Sequence, residues 1–200
     1  MATLSVGGTT IFDGSALQSA VTGTIGTGVT FPAGHVLQVK HFPYTSNMSI
    51  AAGAGSATSI PFTGSASNND YGCPITLANT SNKVSVFLTV YNGNADEAVN
   101  HQFKLMYNTS VGGTWVQNAV NGGANYWCLV EHNTYTGIIH QTQCHTVNDI
   151  FTPSSFDSGT TVWVKNHCWM NTTGTSYINR SGSGSNYING TSMILMEVVA

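Results

Sequence analysis

Four cysteines and seven histidines are the side chains of this 200-residue chain best suited to chemistry. Cys144-His145 and His167-Cys168 each set a thiol beside an imidazole, with Cys128 and His132 close by in sequence, and zinc accepts these ligand types. The spacing argues against a metal centre. Neither pair belongs to a C-x-x-C knuckle, and both fall in stretches that read as strands, where adjacent residues point to opposite faces. Each pair therefore offers at most one ligand to one site. Buried thiols with surface or interface histidines fit the pattern better than a metal site or a disulfide. No metal and no other cofactor is expected, and a chain of this length does not depend on such staples to fold.

The eight carboxylates give no better prospect of catalysis. Asp96 and Glu97 are adjacent, but neighbours in one loop do not flank a bond as the two carboxylates of a glycoside hydrolase must. Gly182-Ser183-Gly184 lies in a loop before a terminal strand, not at the strand-to-helix elbow of a serine hydrolase. The chain has no phosphate-binding Walker loop, His-Glu-x-x-His pair or dinucleotide fingerprint. No catalytic residue is assigned, and a glycan-degrading enzyme is the remotest function considered. If sugars are bound, aromatic rings would stack on them while amides and a guanidinium bond their hydroxyls. Tyr177, Asn179, Arg180 and Tyr187, which flank the Gly/Ser loop, are the candidate surface contacts. The competing reading is that they cap a hairpin.

The elements that must position these residues read as strands throughout. Charged residues are 6% of the chain, against about 25% in ordinary soluble proteins, while hydrophobic residues still reach 41%. That apolar content rules out disorder and leaves a surface of hydroxyls and amides. Residues 1–34 are Gly/Thr-rich and weakly patterned, and read as an extended arm or anchor, with one helical turn over 15–21. The core alternation begins at Val36 in FPAGHVLQVKHF, so residues 35–200 form the domain. Residues 51–57 read as a small-residue loop and 60–62 as an edge segment interrupted by Pro61. Residues 83–91 alternate most clearly, with Val84, Val86, Leu88 and Val90 on one face. Further strands are expected over 102–107, 126–131, 138–147, 160–170 and 193–199. Over 160–170, Val162, Val164, Cys168 and Met170 share a face, opposite Trp163, Lys165, His167 and Trp169. Short strands at roughly ten-residue spacing, with no capped helical period, predict an all-β fold: an antiparallel β-sandwich, jelly-roll-like, with an extended N-terminal arm.

Partners follow from charge and from one two-sided apolar run. A net charge of -3 with five Lys and Arg leaves no basic stripe, so no nucleic acid is expected. No run approaches the ~18 apolar residues of a membrane span and no signal peptide opens the chain, so synthesis in a cytoplasm and no membrane insertion are expected. Met193, Ile194, Leu195 and Met196 are apolar in succession, which implies cover on both faces of a strand. With Trp163 and Trp169 they are the candidate subunit interface. A central strand beneath a long loop is the alternative.

Three stretches, FPAGHVLQV after the arm, TSNKVSVFLTVYN in the middle, and YINRS followed by GTSMILMEVVA, resemble small structural proteins of tailed bacteriophages, especially marine phages. The resemblance spans residues 31–200. It implies a fibre-like virion component with a β-sandwich domain that assembles as a homotrimer, located in the virion, and made in the host cytoplasm. On that basis residues 1–34 would hold other virion proteins and the sandwich would face outward for host-surface attachment, possible ligands being host glycans. Capsid decoration is the alternative role, since the chain carries no shaft of repeats.

Overall fold

The alternating stretch around Val84–Val90 becomes the longest strand among the described residues, and the sheet it anchors supplies half of a sandwich. The protein is seen here as a computed structural model. It describes residues 3–6, 9–13, 16–17, 32–52, 57–67, 70–94, 101–117, 128–129, 142–156, 159–170, 174–180 and 190–200.

Two compact units divide the chain, Met1–Pro32 and Ala33–Ala200. The first contains an antiparallel meander of β1 (Thr3–Val6), β2 (Thr9–Asp13) and β3 (Ala16–Leu17). β3 stands where one helical turn was expected. A lone turn has one hydrogen bond to offset the ordering of several residues, whereas the β-branched run of β2 gives this segment a ladder to join.

The second unit is an all-β sandwich of two antiparallel sheets. One is built from β4 (Val36–Pro43), β15 (Ser192–Val198), β8 (Lys83–Asn94), β14 (Gly174–Ile178) and β5 (Met48–Ala52) in that order, with β12 (Thr142–Phe151) also paired to β8. The other runs β10 (Val116–Gln117), β9 (His101–Asn108), β13 (Thr161–Met170) and β6 (Ala57–Ser59). Here β11 (Cys128–Leu129) pairs with β9, and β7 (Cys73–Thr76) with β13. Val84, Val86, Leu88 and Val90 are wholly buried and share one core with Val162, Val164, Ile75 and Phe103 of the other sheet. Each such side chain contributes roughly 1.5–3 kcal/mol, so the predicted alternation of β8 is one of the larger single contributions to the core. Some sequence boundaries shift. The loop expected over 51–57 is shorter, because β5 reaches Ala52 and β6 begins at Ala57. Ile60 and Phe62, read as an edge strand, are buried non-strand residues either side of Pro61.

The terminal strand corrects the interface assignment. β15 is central, with β4 on one side and β8 on the other. Met193 and Leu195 are wholly buried in the core, so they are not subunit contacts, while Ile194 and Met196 point outward and are half-buried. Glu197 shares the inward face of Met193 and Leu195 at the end of the strand. Its carboxylate accepts from Ala78 N–H (2.7 Å), Asn82 Nδ2 (2.6 Å) and Gln38 Nε2 (2.7 Å), tying the segment after β7 to β4 and β15. A buried charge with its lone pairs occupied in this way is a clasp between the two sheets.

The edges of β8 are used unequally. β12 covers one edge from Val84 to Gly93. The other edge is divided, β15 taking Lys83 to Thr89 and β14 taking Asn92 to Asn94. Tyr91 lies at the changeover. Its N–H donates to Thr191 Oγ1 (3.0 Å), and its carbonyl accepts from Asn179 N–H (2.8 Å). Asn179 has a left-handed backbone (φ 58°), which Asn tolerates better than most residues. Its Nδ2 donates to the carbonyls of Tyr44 (2.6 Å) and Ser46 (3.1 Å), and its Oδ1 accepts from Thr191 N–H (3.3 Å). One amide thus joins the β4–β5 connection to both strands on the divided edge. Gly190 is needed beside it, since a Cβ there would come within 2.4 Å of the Tyr91 ring.

Asn179→Ala removes these bonds and places Ala in the left-handed region, for an expected loss of about 3 kcal/mol. Asn179→Gly keeps the backbone conformation accessible and should lose about 1 kcal/mol less. Urea denaturation midpoints check both, and a wild-type-like midpoint for the Ala variant would contradict the role assigned to this amide.

Candidate functional site

Directly opposed residues on neighbouring strands point to the same face, so register alone maps the outside of the first sheet. One row reads Val39, Met196, Ser85, Ile150 across β4, β15, β8 and β12, and the next reads His41, Ile194, Phe87, Asn148. A third reads Pro43, Ser192, Thr89, Thr146. None of these positions is Asp, Glu, Lys or Arg. Val39 is 57% exposed, Ile150 51% and Phe87 38%, and with half-buried Met196 and Ile194 they form a contiguous apolar ridge. Among the described residues these three rows carry no charge, Lys83 standing exposed beyond them at the end of the same face of β8, and an exposed apolar patch of this kind is a candidate contact surface.

The outside of the second sheet is different in kind. Trp163, Lys165 and His167 alternate outward on β13, opposite Asn108, Met106 and Lys104 of β9. Lys165 is almost fully buried. Its Nζ pairs with the Asp70 carboxylate and lies 4.3 Å from the centre of the Trp115 ring. Asp70 and Tyr71 both have positive φ in the turn that delivers the carboxylate. His167 is held below its ordinary pKa, first by burial and then by the positive charges of Lys165 and Lys104, with Asp70 acting in the opposite sense. Burial also lowers Lys104. The charges of this face are therefore spent internally and do not read as a docking field.

The sequence candidates separate accordingly. Ile194 and Met196 belong to the apolar ridge, whereas Trp163 is half-buried on the opposite sheet, so the proposed interface residues are not one patch. The side chain of Trp169 lies outside the described residues. Asn179, chosen as a surface contact, is wholly buried with its amide engaged, because the junction at Tyr91 consumes every group a ligand would need. Tyr177 and Arg180 do meet. The guanidinium carbon sits 4.4 Å from the Tyr177 ring centre, a cation–π contact. Tyr187 lies outside the described residues, as do Asp96, Glu97, His132 and Gly182-Ser183-Gly184.

Cys144-His145 and His167-Cys168 lie on different sheets, and each pair straddles a strand. Cys144 is exposed, while His145 is buried 5.6 Å from the Phe103 ring centroid. Burial pushes the Cys73 and Cys168 thiols up, far from the range in which a thiolate attacks or binds a metal. Among the described residues no cluster of His, Cys, Asp and Glu could hold a metal ion. The residue that sequence reasoning missed, Glu197, is a buried polar group whose partners Gln38, Ala78 and Asn82 come from distant parts of the chain.

No protein-family model and no curated protein sequence matches the chain. In fold it is similar to the structure of infectious bursal disease virus Gt strain, with TM-score 0.42 and 10% identity over 94% of this chain and 43% of that one. It is also similar to the Gx strain structure (TM-score 0.41, 9% identity, 82% and 37% covered). A third similar structure is the infectious bursal disease virus VP2 subviral particle (TM-score 0.40, 10% identity, 82% and 38% covered). The chain spans about two fifths of the length of the structures it matches.

His167 gives this face a pH signature. Its folded-state pKa lies below the 6.5 of the unfolded chain, so the unfolded state takes up the proton first. Stability should be undiminished by this residue above pH 6.5 and should fall as pH drops below it. Thermal melts from pH 8 to 5 should show that slope reduced in His167→Gln, and an unchanged slope would assign the proton uptake elsewhere.

Proposed function

We propose that this chain is a non-enzymatic structural protein of a bacteriophage virion, a sandwich that associates as a homotrimer through the outer face of the β4–β15–β8–β12 sheet. Residues 1–34 hold it to other virion proteins, and the domain is presented for host-surface attachment. The observation that carries the self-association is the uncharged ridge from Val39 to Ile150. The number three, the virion setting and the attachment role are supported by the resemblance to phage structural proteins. The non-enzymatic reading is supported by the carboxylates. Among the described residues Asp70 is paired with Lys165, Asp149 accepts from the next backbone N–H, and Glu197 is occupied as a clasp. They belong to three separate elements.

Magnitudes set what the ridge can do. Completing the burial of five partly exposed side chains contributes about 5 kcal/mol per copy, at the low end of the roughly 4–15 kcal/mol lost on association. The free protein should therefore assemble in a concentration-dependent way, and more firmly where residues 1–34 gather copies on a particle. Decoration of the capsid is the second role, and it shares the ridge and the anchor.

Light scattering should report three chains at high concentration and dissociation on dilution. Val39→Asp with Met196→Asp places charges on the ridge without touching the core, so it should yield monomers with a nearly unchanged melting temperature. A wild type that stays monomeric at all concentrations would refute the proposed assembly. Free protein should also block phage adsorption if attachment is the role, and leave it unchanged if decoration is.

A further inference from the structure

A second surface feature lies at the end of the other sheet, where β9 runs into the segment 109–116 beside the segment that follows β12. A groove of about 260 Å³ opens there. Tyr107 forms one wall, its ring stacked on Phe151 with centroids 4.5 Å apart. Asn108 shapes the turn: its Oδ1 accepts from the N–H and hydroxyl of Ser110 (2.9 and 3.2 Å), and its Nδ2 donates to the Gly113 carbonyl (2.8 Å). Thr109 Oγ1 donates to the Ser155 carbonyl (2.7 Å), fixing Ser155 in a left-handed conformation (φ 63°). The groove is thus a rigid cradle.

What the cradle offers is chemically narrow. Thr114, Ser154 and Ser155 are among the residues that line it, and no hydrogen bond among the described residues occupies their side-chain hydroxyls. Val116, 46% exposed, adds an aliphatic surface. No Asp, Glu, Lys, Arg or His lines the groove, so nothing there would balance the charge of a phosphate, a carboxylate or an amine. Hydroxyls both donate and accept, and a neutral sugar ring presents matching hydroxyls together with C–H faces that suit Val116. The volume lies just below the ~300 Å³ at which pockets for drug-sized ligands begin, which is room for one ring.

We propose that this groove is a binding site for a single neutral pyranose unit of a glycan. The site deepens the attachment reading and rests on it only for the source of the sugar, a host surface. It is distinct from the contacts expected at Tyr177, Asn179, Arg180 and Tyr187.

The test is an amide-resolved NMR titration of the intact chain with the methyl glycosides of glucose, galactose, mannose and N-acetylglucosamine. Saturable, about millimolar binding is expected for at least one of them, as a single ring with few anchoring bonds allows. Shifts should be confined to Ser110, Thr114, Ser154, Ser155 and their neighbours. Thr114→Val with Ser154→Ala, both at exposed positions, should melt as wild type and lose at least tenfold in affinity. The proposal is overturned by no shift with any of the four glycosides, by shifts centred on Tyr177 and Arg180, or by equal binding in the double variant. Adsorption assays keep the two readings apart. Binding at the groove without any block of adsorption retires the attachment role and leaves the site assigned, whereas a block that survives the double variant supports attachment and overturns the groove.

Discussion

The sandwich depends on how the long strand β8 is shared. One strand covers its first edge, but its second edge passes from β15 to β14 at Tyr91, and the groups exposed at such a changeover must find partners or lose on the order of 1–3 kcal/mol each. Thr191 and Asn179 supply those partners, and the Asn179 side chain carries the link on to Tyr44 and Ser46. Both sheets repeat the device, since β13 likewise has β9 along one edge and β7 followed by β6 along the other.

Much of this was legible in the residues. The alternation of Val84 to Val90 gave both the core and the strand, and the faces of β13 were assigned correctly at Val162, Val164 and Cys168 because a half-buried strand announces itself with period two. The run Met193 to Met196 was ambiguous for a physical reason. A central strand with an uncharged outer face and a strand in a subunit contact write the same apolar sequence, and only the pairing of β15 with both β4 and β8 distributes the four residues between core and ridge. Asn179 could not be recognised as buried, because its partners lie 12 to about 135 positions away and an Asn before a Gly/Ser loop looks like any turn residue. The hydroxyl groove was equally invisible: Thr114 and Ser154 are forty positions apart, in stretches whose composition resembles every other loop of the chain.

The two outer faces show how so few charges are deployed. On one, Lys165 is sunk beneath Trp115 and Asp70, with His167 and Lys104 both shifted towards their neutral forms. On the other, the three rows mapped across β4, β15, β8 and β12 carry no charge at all. Those rows alternate Val39, Met196, Ile150, Ile194 and Phe87 with Ser, Thr, Asn and His, and the exposed charge of Lys83 stands beyond them at the end of β8. The groove lies near the end of β9, away from those rows in the pairing of the sheets, so the proposed self-association and the proposed sugar binding make separate demands on the surface.

The most direct measurement of the proposed virion role is a cryo-electron microscopy reconstruction, at a resolution that traces strands, of the particle the chain is proposed to join. The account requires the domain in threefold clusters, with Val39, Met196, Phe87 and Ile150 of each copy packed against a neighbouring copy. A particle on which this sheet face is open to solvent, or from which the domain is missing, would contradict it.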